Sequence, residues 1–343
     1  MDYRTAAKAL AGGTPWPVYV CYGAETFLMR EFVNFAVDKL VDPADRHMCL
    51  ARFDCTEIPL DRVVDEAETP PFFGSRKVVI AEKAFFLTAA REIGKVEHRV
   101  ERLAEYVARP AEHTVLILTV ESEKLDERKK AVKALKERGW TLAFEPLSEA
   151  ELVRWAERRA ERRGVRMTPG ALKRLVERTA GSLPAMDQEI EKLALYAGDG
   201  GIADEAAVDA FVPRTPEQNV FLLVDHVISR RAREAVEVLH DLLLRREEPI
   251  KLLALIARQC RVLLQVKACL ERGLSQKETA AELGLHPYAV RLAAEQARKD
   301  SERVLAAMLA EASELDHRMK TGRTDKALGL ELFLLRWARR EAT

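Results

Sequence analysis

The sequence lacks the patterns on which metal sites, secreted scaffolds and membrane spans depend. Five cysteines are scattered over 343 residues without a C-x-x-C pair, and the seven histidines form no H-E-x-x-H pattern. This spacing argues against a zinc site, and an odd number of dispersed thiols is typical of a reducing compartment. The first residues, MDYRTAAKALAGG, lack the apolar core of a signal peptide, and no apolar run is long enough to span a bilayer. We therefore expect a cytoplasmic protein with no metal site and no membrane partner.

The chain also lacks an excess of positive charge. Lysine plus arginine equals aspartate plus glutamate at 55 each, so the formal net charge is zero. A protein that gained its affinity mainly from phosphate contacts should be basic. Any contact with nucleic acid is therefore expected to be local or shared with other subunits. The composition, 48% hydrophobic and 32% charged, is typical of a globular chain of two or three domains.

Apolar segments alternate with amphipathic ones in the first part of the chain. Amphipathic helical patterns, such as Glu25–Leu40 and Val100–Arg109, lie between the apolar segments. Strands that alternate with helices predict a parallel sheet covered by helices, which is an α/β domain. The predicted strands are 17–23, 48–54, 77–81, 113–120 and 140–146.

After Pro146 the sequence predicts only helices. Ser148 and Glu151 have the spacing of a capping box at a helix start. The polar, proline-containing stretch RTPEQN (214–219) predicts a linker, and the pattern is helical from Asn219 to Arg339. The predicted organisation is an α/β domain over 1–145, a small helical domain over 146–213 and an all-α domain over 214–343.

The turn CYGAETF (21–27) lies where a nucleotide-binding α/β protein would have its phosphate loop. Such a loop needs several glycines, a lysine, and a serine or threonine for magnesium. Here Gly23 is the only glycine, no Gly-Lys pair occurs, and Glu25 places negative charge beside Thr26. The residues favour an ordinary strand-to-helix turn without a cofactor, and a self-sufficient ATPase is the alternative. No nucleophile and base are arranged for catalysis, so we expect no catalytic residues.

Residues 274–299 have the outline of a DNA-binding helix-turn-helix. The second helix of this segment carries Arg291, Arg298 and Lys299, which could contact phosphates. The segment is embedded in a long helical stretch, and Pro287 suits the first position of any helix. Packing within a helical bundle is therefore favoured over reading of the major groove.

The stretch EAETPPFFGSRKVVI (66–80) contains an aromatic pair, Phe72 and Phe73, in a segment built like a turn. The two prolines before the pair cannot continue a helix, and Gly74 permits a sharp turn. A turn-mounted aromatic pair can anchor a partner because it buries a large area at little ordering cost. From the residues alone, inward packing of the two rings is an equal alternative.

Seven segments in collinear order resemble the delta subunit family of the bacterial DNA polymerase III clamp loader. The resemblance covers about residues 17–335. It implies two N-terminal domains similar to the AAA+ module, the second a small helical lid-type domain, and a C-terminal helical collar that joins a five-subunit ring. It also implies that the subunit as a whole binds no ATP. The segments are VYVCYGAETFLMRE, AETPPFFGSRKVVI, HTVLILTVESEKLDERKKAVKAL, MDQEIEKLALYAG, EQNVFLLVDHVISR, EEPIKLLALIARQCRVLLQVKACLERG and LGLHPYAVRLAAEQARK.

The resemblance also implies a partner and a site. In the family, an apolar pair at the tip of the first domain enters a pocket on the ring-shaped sliding clamp (beta), and by position this pair is Phe72 and Phe73, preceded by Pro71. Some members begin the motif with glutamine, where this chain has Glu68. The implied role in DNA replication is to help open the clamp for loading onto primed DNA without ATP hydrolysis by this chain. The implied partners are the gamma/tau and delta prime subunits, reached through the collar, within a DNA-directed DNA polymerase holoenzyme.

Overall fold

In the computed structural model the described residues are 3–71, 76–89 and 96–340. The chain forms two compact units, Met1–Pro146 and Leu147–Thr343. No helix among the described residues is both long enough and apolar enough to cross a membrane. The first unit has an α/β fold, and the second is almost wholly helical.

The first unit is built around a parallel sheet. Within the described ranges its strands are β1 (Val18–Tyr22), β2 (Leu50–Asp54), β3 (Lys77–Glu82), β4 (Thr114–Val120) and β5 (Thr141–Ala143). They lie in the order β2-β3-β4-β1-β5, and every neighbouring pair is parallel. Strands β3, β4 and β1 are buried along almost their whole length, as expected of apolar runs covered on both faces. The parallel sheet predicted from the alternating pattern is confirmed.

Helices cover both faces of this sheet. Successive residues of β1 point to opposite faces. Val18 and Val20 share a core with buried residues of the fourth, fifth and sixth helices, whereas the Tyr19 ring lies 5.7 Å from that of Phe32 in the second helix. The helices are α1 (Tyr3–Ala11), α2 (Thr26–Leu40), α3 (Arg46–Cys49), α4 (Leu60–Glu68), α5 (Val100–Ala108) and α6 (Lys130–Glu137), with 3₁₀ turns at Pro43–Asp45 and Phe85–Leu87.

The second unit begins with four helices and a short two-stranded ribbon. The elements are α7 (Glu149–Arg162), β6 (Arg166–Met167), α8 (Pro169–Arg178), α9 (Leu183–Ala197), β7 (Ile202–Ala203) and α10 (Glu205–Phe211). Ser148 and Glu151 form the predicted capping box, with the Ser148 N–H donating to Glu151 Oε2 at 3.0 Å. The prediction of helices alone after Pro146 is wrong, because β6 and β7 pair in parallel. Two-residue strands are too short to show an alternating pattern.

Seven further helices within the described residues continue to Ala338. They are α11 (Pro216–Ile228), α12 (Ala232–Leu244), α13 (Pro249–Glu271), α14 (Gln276–Leu283), α15 (Pro287–Ala297), α16 (Glu302–Lys320) and α17 (Lys326–Ala338). Most of their buried apolar residues form one core that extends from Val220 to Ala338. The predicted linker over 214–219 differs from the structure, since Thr215 caps α11 and the helix begins at Pro216.

Candidate functional site

The predicted aromatic anchor lies in the connection between α4 and β3. Phe72 and Phe73 themselves lie outside the described residues, whereas Pro71 and Glu68 lie within them. Helix α4 ends at Glu68, and the Thr69 N–H donates to the Asp65 carbonyl at 3.1 Å. The apolar face of α4 is fully buried, so its exposed C-terminal end has a fixed position on the first unit.

Glu68 is engaged within its own chain. Its Oε2 accepts a hydrogen bond from Nη2 of Arg102 in α5 at 2.7 Å. The same guanidinium nitrogen lies 3.5 Å from Asp65 Oδ1, one turn earlier in α4. The structure thus places Glu68 in a contact between two helices that pack against each other. Glu68 supports the end of α4 through this ion pair.

Lys77, at the first position of β3, was not among the predicted site residues. The residue is 4% exposed, and its ammonium donates to the carbonyls of Glu66 at 3.0 Å and Thr69 at 3.5 Å. It also forms an ion pair with the Glu66 carboxylate. The only signal in the sequence is a charged residue at the edge of an apolar strand. Its partners cannot be read from that signal.

The predicted degenerate phosphate loop is closed against the end of the sheet. Gly23 has a φ of 142°, and a Cβ on it would lie 2.0 Å from the Phe144 carbonyl oxygen. Only glycine permits this close approach of two backbone segments. The Gly23 N–H donates to the Val120 carbonyl at 3.2 Å. Backbone from β4 and from the exit of β5 therefore surrounds the loop.

The amides that would bind a phosphate in this loop have other acceptors. The Glu25 N–H donates to the Phe144 carbonyl at 3.0 Å, and the Thr26 N–H donates to the Ala24 carbonyl at 3.1 Å. Glu25 occupies the N-cap position of α2, and burial raises the pKa of its carboxyl. A phosphate loop needs free N–H groups and a positive helix end open to the anion. This loop offers a carboxyl group at that place.

An aromatic cluster supports the closed loop. The Phe144 side chain is 1% exposed, and its ring lies 5.3 Å from the Tyr3 ring of α1 and 5.8 Å from the Phe32 ring of α2. Packing of this kind fixes the Phe144 backbone, whose carbonyl accepts the Glu25 N–H. The closed form of the loop is therefore held by the core of the first unit.

Thiol and metal chemistry find no support in the part of the chain that the structure describes. No group of three or more histidine, cysteine, aspartate or glutamate side chains is placed there to hold a metal ion. All five cysteines are buried as free thiols. Burial raises the pKa of Cys21, and it raises the pKa of Cys55 and Cys260 to about 12. Such thiols are poor nucleophiles because the thiolate is the reactive form.

The helix-turn-helix outline corresponds to α14, α15 and the residues that follow. Arg291 and Lys299 contact other helices, whereas Arg298 is exposed. Arg291 donates to Glu295 at 2.8 Å and forms an ion pair with Glu149 of α7 at 2.8 Å. Lys299 donates to Asp225 of α11 at 2.5 Å. These groups are committed to neighbouring helices. This supports the bundle interpretation.

Three leucines are exposed on the last part of the helical unit. Leu244 of α12 is 81% exposed, and Leu328 and Leu332 of α17 are 55% and 53% exposed. His240, one turn before Leu244, has its Nε2 3.4 Å from Oε2 of Glu331 in α17. The two helices pack against each other, and all three leucines lie on them. We call these residues the leucine patch, and exposed apolar clusters of this kind often mark protein interfaces.

Comparisons with known proteins point to one family. The family model for the DNA polymerase III delta subunit matches residues 19–145, and a second model, for the C-terminal domain of the same subunit, matches residues 217–337. DNA polymerase III subunit delta of Bacillus subtilis is 39% identical over 333 residues, covering 97% of this chain and 96% of the relative. The Escherichia coli subunit delta is 28% identical over 161 residues, or 45% of this chain and 46% of the relative. The solved structure of the Bacillus subtilis DNA clamp loader delta protein matches with a TM-score of 0.83 at 38% identity, covering 98% of this chain and 100% of that one.

Proposed function

Because the chain belongs to the DNA polymerase III delta subunit family and so has a role in DNA replication, we propose that it binds the ring-shaped sliding clamp and helps open it. Phe72 and Phe73 are the proposed anchor, with Pro71 restricting the backbone before them. Glu68 contributes from within the chain, through Arg102. The clamp would then be loaded onto primed DNA.

The observation that supports this proposal is the way in which helix α4 holds the start of the connection that carries Phe72 and Phe73. Helix α4 is buried along its apolar face, ends at an exposed Glu68, and is followed by an exposed Pro70 and a half-buried Pro71. A rigid mount lowers the ordering cost of an anchor, and a few anchors supply most of the binding energy of an interface. Binding opens the ring only if the open clamp is bound better than the closed one.

We further propose that the chain binds and hydrolyses no ATP. The support is the closed loop at Gly23, in which the Glu25 and Thr26 amides donate to carbonyls and a carboxyl group occupies the helix end. The alternative of a self-sufficient AAA+ ATPase would require these amides to change partners. Nucleotide bound by other subunits would then control the exposure of the clamp-binding segment, a coupling between separate sites.

Assembly with the gamma/tau and delta prime subunits is proposed to use the last seven helices. Their separate core and the leucine patch support a collar domain over 214–343. The other proposed domains are an AAA+-like domain over 1–145 and a small helical domain over 146–213. With a net charge of zero, the chain would contact primed DNA as part of the assembled complex. Its place is the cytoplasm, where the bacterial replication machinery works.

The test is calorimetric binding of the full chain to the sliding clamp of its own organism. The double variant Phe72→Ala/Phe73→Ala should lose binding by several kcal/mol, on the scale of about 2 kcal/mol or more for each hot-spot residue. A matched control is Leu195→Ala/Tyr196→Ala, an exposed apolar pair in the second unit. Circular dichroism confirms that each variant folds. Absence of wild-type binding would refute the clamp role, and equal binding by the double variant would refute the anchor.

A further inference from the structure

A buried lysine lies where the chain re-enters the sheet after the proposed anchor. Lys77 is the first residue of β3, and its N–H donates to the His113 carbonyl at 2.7 Å. Its side chain is 6% exposed. Burying an ammonium group is costly unless it is paired and hydrogen-bonded, and an apolar side chain of similar volume avoids that cost. The lysine therefore has a use that methionine would not supply.

The partners of Lys77 lie at the end of α4. The Glu66 carbonyl is among the last four carbonyls of α4, and these receive no hydrogen bond from within the helix. Lys77 Nζ donates a hydrogen bond to the Glu66 carbonyl at 3.0 Å. The same ammonium lies 3.5 Å from the carbonyl of Thr69, eight positions before Lys77. A cation there also faces the negative end of the helix dipole. The Lys77 side chain thus links Thr69, the C-cap residue of α4, to the first residue of β3.

Arg102 supports the same helix end from a different element. It comes from α5 and contacts Glu68 at 2.7 Å and Asp65 at 3.5 Å. Lys77 comes from β3, so cations from two different elements converge on the last turn of α4. The position of this turn is therefore fixed relative to both the sheet and the neighbouring helix.

We propose that Lys77 is a positioning residue for clamp binding, holding the two ends of the connection that carries Phe72 and Phe73 at a fixed separation. The inference rests on the proposed clamp-binding role. A segment whose ends are fixed loses less conformational freedom when its side chains enter a pocket, and the difference appears as affinity. In this proposal Lys77 affects clamp affinity indirectly. It fixes the backbone of Thr69 at one end of the connection, and its own place in β3 fixes the other end.

The test compares Lys77→Met with two matched variants in the full chain. Glu66→Gln removes the ion pair but keeps both carbonyl acceptors, and Lys83→Met removes a lysine just beyond the far end of the same strand. Clamp Kd is measured by calorimetry well below each thermal transition. We expect Lys77→Met to raise Kd by about tenfold. Glu66→Gln should stay within about threefold, because the two carbonyls through which Lys77 holds the end of α4 are kept. Lys83→Met should match wild type.

A purely structural role predicts a different result. In that case Lys77→Met would lower the melting temperature while folded protein bound the clamp with unchanged Kd, and the proposal would be overturned. If this variant does not fold, Lys77→Gln keeps a hydrogen-bond donor and should show an intermediate rise in Kd. Wild-type Kd from Lys77→Gln would overturn the proposal as well.

A second readout needs no clamp. Cleavage by chymotrypsin after Phe72 and Phe73 should be several-fold faster in Lys77→Met than in wild type, since a protease needs locally unfolded backbone and the variant lacks the contacts that hold Glu66 and Thr69. Lys83→Met should be cut at the wild-type rate. If wild type fails to bind the clamp, the clamp role falls, and the protease comparison still decides whether Lys77 holds the connection. Equal cleavage of Lys77→Met and wild type would refute the inference.

Discussion

Replacement of Gly23 by alanine should strongly destabilise the first unit. The added Cβ would lie 2.0 Å from the Phe144 oxygen and 2.6 Å from its carbonyl carbon, whereas ordinary contacts begin near 3.4 Å. Backbone cannot yield as a flexible side chain would, so the exit of β5 must move. The φ of 142° adds strain that only glycine avoids.

The size of the effect follows from these contacts. Positive φ at a residue with a Cβ contributes about 1–3 kcal/mol. Movement of Phe144 weakens two hydrogen bonds. The Phe144 N–H donates to the Tyr22 carbonyl at 2.7 Å, and the Phe144 carbonyl accepts from the Glu25 N–H at 3.0 Å. Each such bond contributes about 1 kcal/mol. The free energy of unfolding of Gly23→Ala should therefore fall by about 3–5 kcal/mol.

The assay is urea unfolding of the full chain, followed by circular dichroism and by tryptophan fluorescence. Gly13→Ala is the matched control, because Gly13 also has a positive φ, 77°, but nothing lies within 4 Å of its added Cβ. The control should lose about 1 kcal/mol from strain alone. Equal losses in the two variants would refute the close approach of Phe144, and with it the closed form of the loop.

Two further predictions concern acid stability and assembly. Hydrogen bonds from the Lys83 ammonium and from the hydroxyl and N–H of Thr56 lower the pKa of Asp54 from 3.8 to about 2. These contacts therefore stabilise the fold above pH 3.8, and their contribution is lost as the pH falls toward 2. Asp54→Asn should therefore show a smaller drop in urea midpoint between these pH values than wild type, and an unchanged drop would count against the contribution of these contacts. In the leucine patch, Leu244→Asp/Leu332→Asp should prevent co-elution with the other clamp loader subunits in gel filtration while clamp binding persists, since a charge placed in an interface core is costly. Leu195→Asp, also exposed, is the control, and normal assembly of the patch variant would exclude the patch from the interface.

The alternation of apolar and amphipathic segments was enough to predict the sheet, but not every helix and strand outside it. HTVLILTV predicts a strand covered on both faces, and β4 is such a strand. The segment 48–54 is strand only from Leu50, because Met48 and Cys49 end the short helix α3. The ribbon of β6 and β7 escaped prediction, since each strand has two residues and depends on a partner more than thirty positions away. Periodicity carries no information on pairings of this kind.

In the candidate site, too, local features could be predicted from the sequence and contacts between distant residues could not. The turn chemistry around Phe72 and Phe73 is visible in the sequence, and the role of the pair stays a prediction. The contact of Glu68 with Arg102 spans 34 positions, and Lys77 reaches back 11 positions to Glu66. Such contacts depend on the order of strands and the packing of helices, which sequence spacing does not determine.

The two edges of the sheet bear on whether copies of the chain associate with one another. Unpaired strand edges are templates for aggregation, and natural sheets limit them by shortness or charge. At one edge β5 has only three residues, Thr141–Ala143. At the other, β2 carries Arg52 and Asp54, which pair with Glu82 and Lys83. Neither edge strand offers a long apolar template, so the sheet gives little opportunity for edge-to-edge association between copies of the chain.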